Sequence, residues 1–169
     1  MSYSYSTTTK FALGAVPLVL GMTSGWIASK GPYVQRQRTT RIPLQPPGYV
    51  FSIVWPILYL LMGWVLFRML SWSKPMRGKA GWVFVLFWLQ LVLNFLWSPM
   101  NTYLENETVS LYLLYAILLV SMATVIGLSK FDAFGSVLMY PYLFWLTFAS
   151  FLACASIQAS KKRTKKPTC

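Results

Sequence analysis

Residues 48–67 read GYVFSIVWPILYLLMGWVLF, a stretch without a charged side chain. A helix needs roughly 20 apolar residues to cross about 30 Å of hydrocarbon, so this stretch is long enough to span a membrane. It is also apolar around its whole circumference, whereas a surface helix of a soluble protein has only one apolar stripe. The stretch therefore predicts a transmembrane helix.

The same pattern extends over the whole chain of 169 residues, of which 56% are hydrophobic. All fifteen Lys and Arg and all three Asp and Glu lie outside five uncharged runs, which are Phe11–Ser29, Ile42–Phe67, Ala80–Leu104, Thr108–Ser129 and Ala133–Ser160. The pattern predicts an all-α integral membrane protein with five transmembrane helices, and a soluble bundle is the disfavoured alternative. The expected spans are about 11–29, 49–70, 81–100, 109–128 and 135–157. They form one bundle over residues 11–158, between an N-terminal tail, 1–10, and a basic C-terminal tail, 159–169.

The basic residues predict an orientation, because five spans place the two termini on opposite sides. Nine Lys and Arg fall on the side of the C terminus, in the loop after the first span and in the tail, and six fall on the other side. The excess of Lys and Arg on cytoplasmic loops then predicts a cytosolic C terminus. The tail residues Lys161–Lys166 could attract anionic lipid, although a simple topology anchor is the favoured interpretation. Nucleic-acid binding is not indicated, since positive charge flanks the spans on both sides.

The polar inventory of the spans excludes several kinds of chemistry. The chain has no histidine, and its three acids, Glu105, Glu107 and Asp132, fall in loops. No metal site, no catalytic residue and no required cofactor is therefore predicted, and a proton-driven transporter is disfavoured. An enzymatic role is left open but is not favoured.

The spans are instead rich in aromatic rings and in residues that shape helices. A bundle lined by Trp and Tyr could hold a large flat apolar ligand, although anchoring at the membrane interface is the commoner role of any single ring. The four prolines Pro17, Pro56, Pro99 and Pro141 predict kinks or local openings. Gly21 and Gly25, four residues apart in the first span, predict close helix packing, including self-association as one alternative.

Three strings of residues resemble the translocator protein family, also called tryptophan-rich sensory proteins or peripheral benzodiazepine receptors. The second span carries PPGYVF at 46–51, followed by Val54-Trp55 and Leu58-Tyr59-x-x-Met62-Gly63. The third span carries QL-x-LN-x-x-W-x-P at 90–99, and the fifth carries YPYL-x-WL-x-F at 140–148. The motifs occur in the family's order and spacing, and the resemblance covers roughly residues 11–157.

The resemblance implies a five-helix bundle, often dimeric, that binds cholesterol, tetrapyrroles such as protoporphyrin IX and haem, and synthetic ligands. Eukaryotic members typically lie in the outer mitochondrial membrane with a cytosolic C terminus. The family's cavity is closed by the loop after the first span, here Lys30–Pro47. The positions that match its lining are Phe51, Trp55, Asn94, Trp145, Ala149 and Leu152.

The resemblance also assigns roles, with alternatives. Trp55 and Trp145 would form aromatic walls, Ala149 would leave room for the ligand, and Asn94 would be a buried polar hook. Asn94 could equally bond a neighbouring helix, because a polar side chain in an apolar span needs a partner.

The chain departs from the family pattern where Leu44, Val109 and Cys154 replace aromatic residues. The departure at Cys154 weakens the expectation of cholesterol binding through the end of the fifth span, and the departure at Leu44 weakens the expectation of efficient porphyrin breakdown. They leave three hypotheses: a membrane protein that binds and transports sterols or tetrapyrroles, a light-dependent porphyrin-degrading catalyst, and a scaffold that has lost the pocket.

Overall fold

The computed structural model of the protein describes residues 5–31, 46–103 and 106–164, with side chains as far as residue 158. The helices in these segments are α1 Thr7–Gly14, α2 Val16–Ser29, α3 Gly48–Leu70, α4 Lys74–Lys79, α5 Gly81–Tyr103, α6 Glu107–Phe131, α7 Ala133–Leu138 and α8 Tyr140–Thr164. None of the described residues lies in a β-strand, so the predicted all-α class is confirmed.

Five of the described segments are long and apolar enough to cross a membrane, which confirms the predicted number of spans. The first span joins α1 and α2, the second is α3, the third is α5, the fourth is α6, and the fifth joins α7 and α8. The first span begins at Thr7, ahead of Phe11, because Ser6 caps it by accepting a hydrogen bond from the backbone N–H of Thr9. At the other end, α8 continues to Thr164, into the basic segment expected as a tail.

The five spans form a closed ring of neighbours. The second span packs against the first, the first against the third, the third against the fourth, and the fourth against the fifth. The ring closes where α7, the opening helix of the fifth span, packs against the second span. The outer surface of the ring carries large apolar side chains, including Leu119 and Phe144, which are 66% and 76% exposed. Such a surface is suited to contact with lipid acyl chains rather than water.

Two of the four prolines coincide with breaks in helices. The first span is interrupted at Ala15, just before Pro17, and the fifth is interrupted at Met139, just before Pro141. A proline has no N–H for the preceding turn, and its ring crowds the carbonyl four residues earlier, which explains both interruptions. Helices α3 and α5 continue through Pro56 and Pro99, so no break accompanies the other two predicted irregularities.

Glycines allow the first and second spans to approach closely. A Cβ atom on Gly63 would collide with the backbone carbonyl of Gly14, and one on Gly21 would collide with the ring of Tyr59. Because lipid provides no hydrophobic force between helices, such close backbone contact contributes directly to association. Gly21 therefore serves packing inside the bundle, whereas a Cβ on Gly25 would have no neighbour within 4 Å.

Candidate functional site

One face of the second span carries three aromatic rings. Phe51, Trp55 and Tyr59 are spaced four residues apart, which stacks their side chains along one side of a helix. The rings of Trp55 and Tyr59 are nearly parallel, with centroids 5.4 Å apart. Spacing of this kind turns one face of α3 into a continuous aromatic surface.

A matching face runs along the fifth span. Tyr142, Trp145, Ala149 and Leu152 follow at intervals of three and four residues, so they also share one side of a helix. Tyr142 is fully enclosed and Trp145 is buried, whereas Ala149 and Leu152 are half-buried. Because the side chain of Ala149 is a single methyl group, the side chains on this face project less far one turn beyond Trp145.

The two faces meet through an aromatic cluster made of Phe51, Trp55 and Trp145. The ring of Trp145 lies 5.3 Å from that of Phe51 and 6.5 Å from that of Trp55, both with edges directed towards faces. These separations are typical of favourable aromatic pairs. Three of the six residues expected to line a pocket are thus brought into contact between the second and fifth spans.

Asn94, the fourth expected residue, lies beside the aromatic cluster and ties three helices together. The hydroxyl of Tyr59 donates to Asn94 Oδ1 at 2.8 Å, and Asn94 Nδ2 donates to the hydroxyl of Tyr142 at 3.0 Å. Asn94 is buried, so these bonds satisfy part of an amide that would otherwise be costly in an apolar interior. Of the two roles considered for Asn94, this geometry matches bonding between helices.

Among the buried polar groups without a hydrogen-bond partner in the described residues, two lie on the third and fifth spans near this level. One is the indole N–H of Trp145, and the other is the whole side-chain amide of Gln90, one turn before Asn94. Both groups are enclosed by neighbouring atoms, so neither contacts a space large enough for water. The Trp145 N–H is therefore a buried donor on one of the three rings of the aromatic cluster.

A lateral groove separates the second and fifth spans beside the aromatic cluster. It has a volume of about 480 Å³ and is lined almost entirely by carbon. Its walls are Val54, Ile57, Leu58, Tyr140, Pro141, Phe144 and Trp145. Trp145 thus belongs to both the groove and the aromatic cluster.

At the opposite end, the same two spans are held by an ion pair. Arg68 donates from Nε to Asp132 Oδ2 at 2.8 Å and from Nη2 to Oδ1 at 2.7 Å, a two-bond arrangement that fixes both groups. Asp132 also caps α7 by accepting from the N–H of Gly135, and the guanidinium lies 4.9 Å from the ring centroid of Phe134. We call this the ion-pair end.

The ion-pair end keeps Asp132 ionised. Burial alone would raise the pKa of its carboxyl, but the hydrogen bonds from Arg68 and Gly135 and the charge of Arg68 outweigh burial. The pKa of Asp132 is consequently held below its ordinary value.

The remaining sequence predictions fall outside the aromatic cluster. Val109 is 42% exposed at the start of α6, and Cys154 is half-buried and accepts a weak bond from Gln158. Leu44 and most of the expected lid, Lys30–Pro47, lie outside the described residues. Within the described segments, no group of three or more His, Cys, Asp or Glu is placed to hold a metal.

Sequence reasoning missed Tyr59 and Tyr142 as partners of Asn94, and it missed the buried amide of Gln90. Tyr59 could have been found from its spacing to Phe51 and Trp55, since the three share a helical face. No comparable signal identifies which helix faces Asn94, because that depends on how the spans pack.

Comparisons with known proteins are consistent with this architecture. The sequence profile of the TspO/MBR family matches residues 13–158. The Tryptophan-rich protein TspO of Chlorobaculum tepidum is 30% identical over 115 residues, which are 67% of this chain and 71% of that protein. The protein of the same name from Archaeoglobus fulgidus is 34% identical over 107 residues, 63% of this chain and 67% of that protein. The Tryptophan-rich sensory protein of Cereibacter sphaeroides is 30% identical over 105 residues, 62% and 63% of the two chains.

Proposed function

The chain belongs to the TspO/MBR family of membrane proteins, and from this membership and the geometry between its second and fifth spans we propose that it binds a flat apolar small molecule at the aromatic cluster. The ligand class is a tetrapyrrole, such as protoporphyrin IX or haem, or a sterol such as cholesterol. The ligand occupies the space between Phe51, Trp55 and Trp145 after these rings move apart. Whether the bound molecule is also transported is a further step of the same proposal.

The observation that supports this function most strongly is the buried indole N–H of Trp145, which has no hydrogen-bond partner among the described residues. A buried donor without an acceptor costs about 1 to 3 kcal/mol, and that cost is relieved when a ligand supplies an acceptor. The rings of Phe51 and Trp55 lie 5.3 and 6.5 Å from the Trp145 ring that carries this donor, and they add flat apolar surface beside it. A ligand with a broad apolar face and an inward acceptor satisfies both features.

Tetrapyrroles match this pattern better than sterols do. A porphyrin presents a flat ring for stacking and carries acceptor nitrogens and carboxylates, whereas a sterol is puckered and has one hydroxyl. The departure at Cys154 also removes the aromatic residue that the resemblance would connect with sterol binding. We therefore rank protoporphyrin IX first as a probe.

Titration of protoporphyrin IX into the protein in nanodiscs, in the dark, tests this function. Porphyrin emission is followed against empty nanodiscs and against Trp145→Phe, which keeps a ring but removes the N–H. Loss of one hydrogen bond of about 1 to 1.5 kcal/mol weakens binding about fivefold to tenfold. The matched control is Trp64→Phe in the same helix as Trp55, because Trp64 is 49% exposed and lies away from the aromatic cluster.

Equal partition of porphyrin into protein-containing and empty nanodiscs would contradict the proposal and would favour the scaffold hypothesis. Saturable binding that Trp145→Phe and Trp64→Phe change equally would place the ligand elsewhere. If binding is saturable, illumination of the same samples then separates simple binding from light-dependent breakdown.

The proposal also concerns the membrane in which the protein lies and its orientation in that membrane. The basic residues favour a cytosolic C terminus, and from the family resemblance we propose the outer mitochondrial membrane if the protein is a typical eukaryotic member. Maleimide labelling of Cys169 on intact organelles, in a Cys154→Ser background, tests the orientation. Labelling before permeabilisation is expected, and labelling only afterwards would reverse the topology.

Association with anionic lipid through the C-terminal tail and formation of a homodimer are separate parts of the proposal. The role of the tail is tested by measuring binding to vesicles with and without anionic lipid. The full chain is compared with a variant in which Lys161, Lys162 and Arg163 are changed to Gln. Cross-linking at defined ratios of protein to lipid tests the dimer.

A further inference from the structure

The lateral groove lies at the depth of the hydrocarbon. Val54 to Leu58 occupy the middle of the second span, Gly48–Leu70, and a rise of 1.5 Å per residue places Ile57 roughly 14 Å from the start of that helix. The opposite wall, Tyr140 to Trp145, lies in the central part of the fifth span, Ala133–Gln158. The groove therefore opens sideways into the acyl chains and not towards either aqueous side.

The groove leads to the proposed ligand site through a single side chain. Trp145 forms part of the groove wall, and its ring also contacts Phe51 and Trp55. A molecule that fills the groove is therefore one ring away from the aromatic cluster. Movement of Trp145, or separation of the two spans at this level, would connect the two spaces.

The backbone on either side of the groove permits such a separation. The ion pair of Arg68 and Asp132 holds the second span against α7 at one end. The helix interruption at Met139 lies between α7 and the groove, so α8 can change direction while α7 stays in place. Beside the groove, the described contacts between the two spans are between side chains, chiefly the rings of the aromatic cluster.

From these observations we propose that the lateral groove is the entrance through which an apolar ligand dissolved in the bilayer reaches the aromatic cluster. This inference rests on the proposed function, because it concerns the route to the same site. The occupant is a tetrapyrrole, whose flat ring suits walls that are almost purely apolar and continuous with Trp145. Phe144, at the outer wall, limits the width of the entrance.

Stopped-flow mixing of protoporphyrin IX with the protein in nanodiscs, in the dark, tests the route. Ile57→Trp fills the groove from its outer wall. The matched control is Leu60→Trp, in the same helix, because Leu60 is exposed to a similar degree but does not line the groove. Because both variants add one tryptophan and so change the tryptophan fluorescence of the protein, porphyrin emission is followed instead.

Ile57→Trp is expected to slow association and dissociation about tenfold, with a Kd unchanged within about twofold, because an entrance affects both directions equally. Leu60→Trp is expected to match the unsubstituted protein. Phe144→Ala, which widens the entrance by truncating a side chain that is 76% exposed, is expected to raise both rates. At fixed porphyrin per lipid, the association rate should not depend on the volume of water.

Equal rates for Ile57→Trp, Leu60→Trp and the unsubstituted protein, together with no acceleration in Phe144→Ala, would overturn the entrance while leaving the site intact. An association rate that follows the aqueous concentration of porphyrin would do the same. Absence of saturable binding to the unsubstituted protein would instead overturn the proposed function itself, and the entrance with it.

Discussion

The two ends of the contact between the second and fifth spans are built from different interactions. At the ion-pair end, Arg68 and Asp132 form two short hydrogen bonds, and Asp132 also caps α7. The other end holds the aromatic cluster, and we call it the aromatic end. There Phe51 and Trp55 contact Trp145 through ring edges and faces. Directional, charge-assisted bonds resist separation, whereas aromatic contacts can be exchanged for contacts with a ligand. The comparison shows how one pair of helices can be fixed at one end and able to open at the other.

Asp132→Ala is expected to produce the largest loss of stability. It removes both bonds to Arg68 and the cap of α7, leaving a half-buried guanidinium unpaired, and should lower the free energy of unfolding by about 2 to 4 kcal/mol. Asp132→Asn keeps a capping oxygen but loses the charge, so its loss should be smaller. SDS-induced unfolding in mixed micelles measures both. Equal stability of all three proteins would show that the ion-pair end does not hold the spans.

Gly63→Ala should be next in magnitude, at about 1 to 3 kcal/mol. The added Cβ would meet the backbone of Gly14, which cannot move aside as a flexible side chain can. Gly25→Ala is the matched control, because its Cβ meets nothing within 4 Å and alanine favours the helix. The same unfolding measurement separates them, and equal effects would contradict the close contact of the first and second spans.

Tyr59→Phe should have a smaller effect, about 0.5 to 1 kcal/mol, because it removes one hydroxyl and keeps the stacked ring. The loss leaves one lone pair of Asn94 without its partner beside the aromatic cluster. Tyr112→Phe, at a site that is 68% exposed, should not change stability measurably. If Tyr59→Phe also proved neutral, the bond from Tyr59 to Asn94 would not stabilise the bundle, and the assignment of Asn94 to bonding with the second span would fail.

The dependence of the free energy of unfolding on pH should be the smallest of these effects near neutral pH. The pKa of Asp132 is lower in the folded protein than its ordinary value of about 3.9, so its contribution is complete above that value and is lost as pH falls through the folded pKa. The difference in unfolding free energy between the unsubstituted protein and Asp132→Asn should stay constant from pH 7 to 5. It should shrink below about pH 4. A change between pH 7 and 5 would contradict the assignment to Asp132.

The sequence was sufficient to predict the class of fold and the number of spans. Five long runs without charged residues are compatible with few structures other than a bundle of five transmembrane helices. The sequence also indicated the helix breaks near Pro17 and Pro141, because a proline lacks an N–H and crowds the preceding turn. Continuity through Pro56 and Pro99 was not predictable, since neighbouring helices can support a proline without a break.

The site was only partly predictable. Phe51, Trp55 and Trp145 were identified through the resemblance, and the structure brings them together. The ion pair between Arg68 and Asp132 was not anticipated, because the two residues are 64 positions apart and only the packing of the spans joins them. The same reason explains why the partners of Asn94 could not be named from one sequence.

The most direct test of ligand binding at the aromatic end is the NMR signal of the indole N–H of Trp145 in nanodiscs, recorded in the dark as protoporphyrin IX is added. The eight tryptophans give a small set of indole signals, and Trp145→Phe assigns the relevant one. We predict a saturable shift of that signal towards a hydrogen-bonded position, while the signal of Trp72, near the ion-pair end, stays unchanged. A Trp145 signal that does not move while porphyrin binds saturably, or equal movement of both signals, would contradict the account.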